Sequence, residues 1–333
     1  MELAPDDFIL VTGATGLVGS HVVEEAHKRN LEVRALVRAN SDTSLLDEWD
    51  IAKVTGDLND AEALKSAVEN ASFVVHCAAK VGDWGPVEEY RTTNVRGTEA
   101  LMKAALASGS LKKFIHISSL GVYEARDHHG TDEREPPGTK GIDGYTLSKA
   151  ETDLLVQKYI RENKLPAVIL RPGFIYGPRD RTVLPRILEK LKAKKVKFLG
   201  TGKQLVNNTY VGNLVSAVFL AIENDNAIGE IYNLTDARLV SKREFMKTIA
   251  ELAGIPVPTK SAPLVIAKSV AKMMDGLWRI LGKREAPPIS NAQVKFMGLN
   301  LDFSCEKAKR ELSYSPSIDF KEGMKTAFEE IPS

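Results

Sequence analysis

The chain is poor in cysteine and carries almost no net charge, and both shortages narrow what it can be. Only two cysteines, Cys77 and Cys305, occur in 333 residues, with no CxxC and no Cys/His ligand spacing. A disulfide scaffold and a structural zinc site are excluded, and both thiols read as core residues of a protein in a reducing compartment. Its 45 basic side chains are matched by 44 acidic ones, a formal net charge of +1. No overall field draws it to nucleic acid or to acidic membranes. The histidines offer no metal site: His76 and His116 lie in apolar runs, and His128 and His129 in a loop without further ligands at metal spacing. Long apolar runs are also missing. The first one follows Glu2, Asp6 and Asp7 and is shorter than a signal-peptide core. Residues 262–281 are apolar, but Lys268, Lys272, Asp275 and Arg279 interrupt them at helical spacing, which excludes a spanning segment. The chain therefore reads as cytoplasmic. For residues 262–281, with Trp278 and flanking lysines, lobe core, a lid and a peripheral membrane contact stay open.

Hydrophobic residues make up 43% of the chain, enough for a large core. Short β-rich runs at 8–11, 32–37, 53–55, 73–77, 113–118 and 167–170 alternate with helical patterns. That alternation predicts an α/β fold, a parallel sheet with helices on both faces. Two helices are long, over 87–108 and 145–163, the second stopped before Pro166. After Arg171 the pattern turns to mixed helices and shorter strands, including a helix whose start reads as a capping box from Ser241 to Glu244. The expected organisation is a nucleotide-binding domain over 1–171 and a smaller substrate lobe over 172–333. The two are interleaved, because 207–222 and 229–235 look like further helix and strand material for the first sheet. The basic run 188–197 reads as a solvated helix face.

The first strand leads straight into TGATGLVG, with Gly13, Gly16 and Gly19 three residues apart. Strand, glycine turn and helix in that order form a pyrophosphate cradle: glycine lets the backbone bend and approach, and the helix start supplies amides and a favourable dipole. Gly13, Thr15, Gly16, Leu17, Val18 and Gly19 are the candidate contacts. A dinucleotide fold that holds NAD places an acid at the tip of its second strand, whereas this chain has Val37 and then Arg38. A guanidinium there suits a 2′-phosphate, so the expected cofactor is NADP(H) in preference to NAD(H). In the GDL turn after the third strand, Asp57 and Leu58 are candidates for the adenine, a plain Asp turn being the competing reading.

Tyr145 and Lys149 stand four residues apart at a helix start, on one face. Free phenol ionises near pKa ~10, and a neighbouring ammonium together with an oxidised nicotinamide would favour the phenolate. The pair then works as one proton-transfer device. Tyr-xxx-Lys alone is common on helix surfaces; after a dinucleotide turn and a strand ending HISSLGVY it is a catalytic signal.

With TGATGLVG, GDL, HCAA, NVRGT, ISSLGVY, YTLSK, RPGFIYGP and TYVGNLVSA in this order, the chain resembles the extended short-chain dehydrogenases/reductases over nearly its whole length. The resemblance implies a Rossmann doubly wound sheet with a C-terminal substrate lobe. It implies a Ser-Tyr-Lys triad of Ser119, Tyr145 and Lys149, with Ser118 the weaker choice for its first member. It also places Ala78, Ala79 and Lys80 over the cofactor, Pro172 near the carboxamide, and Asn94 either in a proton relay or in helix packing. The Thr-Asp-Glu of a 4,6-dehydratase is absent, since 119–121 read Ser-Leu-Gly, and Phe174 stands where a nucleotide-sugar epimerase usually has Asn. What remains resembles the 3β-hydroxysteroid dehydrogenase and dihydroflavonol reductase branch, which includes bacterial reductases of long-chain 2-alkyl-3-keto acids. Trp84, Phe174, Ile175 and the 264–281 segment would suit an apolar hydroxy or keto substrate. A nucleotide-sugar 4-epimerase with bound NAD and a non-catalytic NADP(H) sensor are the alternatives. If the chain follows the family, helices 87–108 and 145–163 would form the four-helix bundle of a homodimer.

Overall fold

The structure is a computed structural model that describes residues 7–330; Glu2 and Asp6 lie outside the described residues. Seven strands make the main sheet: β1 (Phe8–Thr12), β2 (Glu32–Val37), β3 (Ala52–Thr55), β4 (Phe73–His76), β5 (Lys113–Ile117), β6 (Ala167–Pro172) and β7 (Ile231–Leu234). Their spatial order is 3-2-1-4-5-6-7, and every neighbouring pair is parallel. Successive side chains of a strand point to opposite faces, so two cores form. Ile9 and Val11 of β1 enter one with Ile115, Ile117 and the helix Val211–Glu223, while Phe8 and Leu10 enter the other with Val74, Phe114 and the helix Gly97–Ser108. The chain order reverses between β1 and β4, and the crevice at the carboxyl ends there is where such a sheet binds ligands.

The fold is the expected α/β doubly wound sheet, with differences at the element ends. β6 runs on to Pro172, whereas β4 and β5 stop at His76 and Ile117, releasing Cys77 and Ser118 into the loops above the sheet. Residues 229–235 supply β7, paired with β6 from Ile231↔Ile169 to Leu234↔Pro172. The predicted helix 87–108 is helical throughout but not uniform: Val87–Tyr90 and Gly97–Ser108 flank a π-helical segment, Arg91–Arg96. The wider turn frees the Asn94 carbonyl, which accepts the Thr98 hydroxyl at 2.6 Å and the Thr152 hydroxyl at 2.9 Å. The second long helix spans Gly144–Asn163, opened by a capping box from Asp143 to Thr146.

The distal lobe has its own aromatic core, in which Tyr176, Phe198, Phe245 and Phe320 are fully buried. Only half of the Ser241 box forms. The Ser241 hydroxyl accepts the Glu244 N–H at 3.0 Å, but the Glu244 carboxylate turns to Arg238 at 2.6 Å. The segment predicted apolar forms the helix Leu264–Ile280, with Ala267, Ala271 and Asp275 inward. Among the described residues no helix is long and apolar enough to cross a membrane.

Candidate active site

β1 ends in the glycine turn because only glycine fits there. Gly13 has φ +69°, and a Cβ on it would lie 2.8 Å from the Ala78 nitrogen. A Cβ on Gly19 would sit 2.1 Å from the Gly13 carbonyl oxygen, so the helix Leu17–Lys28 could not pack this close to the turn. That helix starts at Gly16 with no side-chain cap and no acid in its first turn. Its leading amides, from Leu17 to Gly19, are open beside Thr15, as a pyrophosphate requires. These residues fit a dinucleotide.

Arg38 stands exposed just beyond β2, without an ion-pair partner among the described residues. Asp57 is exposed too, and one carboxylate oxygen accepts the Asn59 N–H at 2.7 Å, an Asx turn that leaves the other oxygen open. The Leu58 side chain is in the core against Gly97, leaving only its backbone for an adenine. Over the crevice, the Ala78 N–H donates to the Thr12 hydroxyl at 3.3 Å. The Asn94 amide holds Lys80 by both sides of its backbone, accepting its N–H at 2.7 Å and donating to its carbonyl at 3.0 Å. It also donates to the Ser148 hydroxyl at 2.8 Å, so Asn94 ties the Ala78–Ala79–Lys80 segment to the Gly144–Asn163 helix. Pro172 closes the far side as the last residue of β6.

Tyr145 and Lys149 lie on the first turns of that helix, facing Ser119 in the loop after β5. The two serines divide. The Ser119 hydroxyl hydrogen-bonds the Tyr145 phenol, whereas the Ser118 hydroxyl donates to Asp153 at 2.6 Å. The Lys149 ammonium donates to the Ile117 carbonyl at 2.6 Å, and burial pushes the Tyr145 phenol up to about 12, against the pull of Ser119. Burial also brings Lys149 down to about 8, opposed by the Asp153 carboxylate. Without a dinucleotide, the phenol is therefore a proton holder.

Asp153, one helical turn beyond Lys149, escaped the sequence reading. It is fully buried and takes the Arg171 guanidinium through Nε at 2.9 Å and Nη2 at 2.6 Å. Arg171 also donates to the Tyr123 hydroxyl at 2.8 Å, and Tyr123 donates to Asn233 at 2.9 Å, joining the Gly144–Asn163 helix to β6 and β7. An acid four residues after Lys149 and an arginine directly before Pro172 were the available signals. Behind them His76 and His116 stack at 5.6 Å, and burial holds His76 neutral, down to about 3. The Cys77 thiol is pushed up to about 12 by burial, which leaves it unreactive.

The residues proposed for substrate separate. Phe174 turns into the distal lobe, edge-on to Phe245 at 5.4 Å and tilted to Phe296 at 5.2 Å, whereas Ile175 packs on the main core. Trp84 donates its indole N–H to the Lys283 carbonyl at 2.9 Å, linking the loop before the Val87–Tyr90 turn to the end of the Leu264–Ile280 helix. Sequence reading also missed two lysines. Lys295, on the helix Asn291–Gly298, donates to the Gly121 carbonyl at 3.3 Å beside Ser119. Lys242 is fully buried with its ammonium 5.1 Å over the Phe296 ring and no hydrogen-bond partner among the described residues, and burial brings it down to about 7.

Residues 9–235 match the NAD dependent epimerase/dehydratase family. The chain is 28% identical to the 2-alkyl-3-oxoalkanoate reductase of Stenotrophomonas maltophilia, covering 95% of this chain and 97% of that protein. It is 30% identical to the 3-beta-hydroxysteroid dehydrogenase of Mycolicibacterium neoaurum, over 95% of this chain and 89% of that one. The crystal structure of gox2253 superposes with a TM-score of 0.82 at 30% identity, covering 97% of both chains.

Proposed function

The chain belongs to the NAD dependent epimerase/dehydratase family, and from that membership we propose that it is an NADP(H)-dependent oxidoreductase interconverting a secondary alcohol and a ketone on an apolar substrate. The observation that supports this reading is the contact of Ser119 with the Tyr145 phenol, with Lys149 one turn further along the helix, in a sheet whose first strand leads into an uncapped helix start. Leu17, Val18 and Gly19 amides hold the pyrophosphate, Arg38 the 2′-phosphate, and the Asp57–Leu58 turn the adenine. When bound, the dinucleotide supplies the hydride acceptor or donor.

The chain's own groups handle the proton. The Ser119 hydroxyl donates to the substrate oxygen and fixes it against the phenol. Tyr145 gives a proton to the developing alkoxide in reduction and takes it back in oxidation. In oxidation the phenol must already have lost its proton to accept the one from the alcohol, so its pKa must fall from about 12 for the phenolate to be populated. Lys149, one helical turn away, would hold the nicotinamide ribose, and its positive charge would favour the ionised phenol. With Phe at 174 there is no amide to hydrogen-bond a sugar diphosphate, and Arg38 replaces the acid that reads NAD. Both departures weigh against the epimerase.

Steroid, flavonoid and long-chain 3-keto substrates are screened with NADPH, following loss of the reduced nicotinamide absorbance. Net oxidation of NADPH that Tyr145→Phe abolishes, with nucleotide binding retained, supports the reading. Epimerisation of a nucleotide sugar without net nucleotide turnover would replace it.

A further inference from the structure

The segment Ala78–Ala79–Lys80, expected over the cofactor, is gripped at two points, and both grips lead to one buried side chain. At its start the Ala78 N–H donates to the Thr12 hydroxyl at 3.3 Å, and the Thr12 oxygen lies 2.7 Å from His76 Nδ1. At its end Asn94 accepts the Lys80 N–H at 2.7 Å and donates to the Lys80 carbonyl at 3.0 Å. The Asn94 carbonyl, freed by the π-helical turn, accepts the Thr152 hydroxyl at 2.9 Å and the Thr98 hydroxyl at 2.6 Å. The Thr98 oxygen in turn lies 2.8 Å from His76 Nε2. The two nitrogens of one imidazole thus stand behind the two ends of the segment. Thr12, His76, Thr98 and Asn94 are all fully buried, so bulk water does not compete for these bonds.

Donor and acceptor roles along this chain have one solution. A carbonyl only accepts, so the Thr98 hydroxyl gives its single proton to Asn94 and turns a lone pair toward His76. Nε2 must then carry the imidazole proton. Burial keeps the ring neutral, its pKa brought down to about 3, so Nδ1 is bare and takes the proton of the Thr12 hydroxyl. The Thr12 oxygen is left to accept from the Ala78 N–H, as it does. Four hydrogen bonds therefore run head to tail, from Ala78 through Thr12, His76 and Thr98 to Asn94. The other tautomer would set a bare Nε2 against the Thr98 lone pair.

We propose that His76 is a positioning residue: fixed as the Nε2–H tautomer, it holds the segment over the cofactor in place from both ends. The functional meaning of this rests on the nucleotide-binding reading, while the hydrogen-bond coupling belongs to the free protein. Each end has its own nitrogen, which makes the two ends separable. An asparagine amide reaches the Nδ1 position and a glutamine amide the Nε2 position, so His76→Asn keeps a partner for Thr12 and His76→Gln keeps one for Thr98. His76→Phe keeps neither, yet its ring meets the same aromatic neighbours, His116 and Phe114, whose centroids lie 5.6 and 6.0 Å from that of His76.

Hydrogen exchange of single backbone amides in the nucleotide-free protein tests the coupling, with the Val74 and Val75 amides of β4 as the reference for overall stability. His76→Phe is expected to speed exchange at both Ala78 and Lys80 about tenfold relative to that reference, the effect of buried hydroxyls losing a partner. His76→Asn should restore protection at Ala78 only and His76→Gln at Lys80 only, a crossover that a general loss of packing does not produce. Nitrogen NMR of the wild type should find the His76 proton on Nε2. The Kd for NADP+ should rise in all three variants, most in His76→Phe. Acceleration equal to that of the reference amides, a loss confined to Ala78 in His76→Phe, an Nδ1–H tautomer, or an unchanged Kd in every variant would overturn the assignment. Should His76→Phe not fold, the crossover and the wild-type tautomer still decide. A wild type that shows the tautomer, in variants that show the crossover, but binds no nucleotide would leave the coupling standing and remove the nucleotide-binding reading instead.

Discussion

The ammonium of Lys149, one turn after Tyr145 on the same helix, donates to the Ile117 carbonyl at 2.6 Å. Burial holds the Tyr145 phenol protonated up to about 12 in the free protein, and nucleotide binding is expected to lower that value. Difference absorbance of tyrosinate, wild type minus Tyr145→Phe, should show a titration that moves to lower pH when NADP+ is added. Identical curves with and without nucleotide would refute the coupling. Lys149→Met should lower kcat about a hundredfold or more, the scale of positioned acid–base catalysis.

Arg38 controls the choice of nucleotide if its exposed guanidinium meets a 2′-phosphate. Arg38→Ser is expected to raise KM for NADPH about tenfold or more, the worth of one charge-assisted pair, while the KM for NADH changes little. Equal losses with both nucleotides would make the residue an adenine support.

Asp153 and Arg171 form the ion pair that anchors the catalytic helix to β6, and both are buried. Asp153→Ala leaves the guanidinium uncompensated and should cost about 3–5 kcal/mol in urea unfolding, whereas removing both charges with Asp153→Leu/Arg171→Met should recover part of that loss. Additive losses in the double variant would contradict the pairing.

Lys242 bears on stability with a definite sign. Burial lowers its pKa to about 7 from an ordinary 10.5, so between those values the unfolded chain binds the proton that the folded protein has released. Its contribution to stability therefore rises with pH across that window and is least favourable at and below about pH 7. Lys242→Met should stabilise the protein by about 1–3 kcal/mol at neutral pH, and the gain should shrink as pH climbs. Parallel stability curves for the two proteins would show that the ammonium is compensated after all.

The sheet and the nucleotide turn were legible because both are written in local patterns. A parallel strand buried on two faces must be a short apolar run, and only glycine accepts the backbone angles and the close approach at Gly13 and Gly19. The π-helical turn at Asn94 was not legible, since one extra residue in a turn leaves the helical periodicity of 87–108 nearly intact. Neither was the split between Phe174 and Ile175, where a strand's alternation sends adjacent side chains into different cores.

The sequence by itself determined which groups exist at the proposed reaction centre: a phenol and an ammonium one turn apart, a serine after a strand, a guanidinium where an acid would read NAD. Chain separation along a helix or turn is short, so those relations survive any packing. Only the tertiary structure decided how the charges are used. Which carbonyl the Lys149 ammonium reaches, whether Asp153 finds Arg171, and whether Lys242 finds a partner among the described residues depend on segments far apart in the chain meeting in a medium of low dielectric, where each pairing is decided by what the packing leaves within reach.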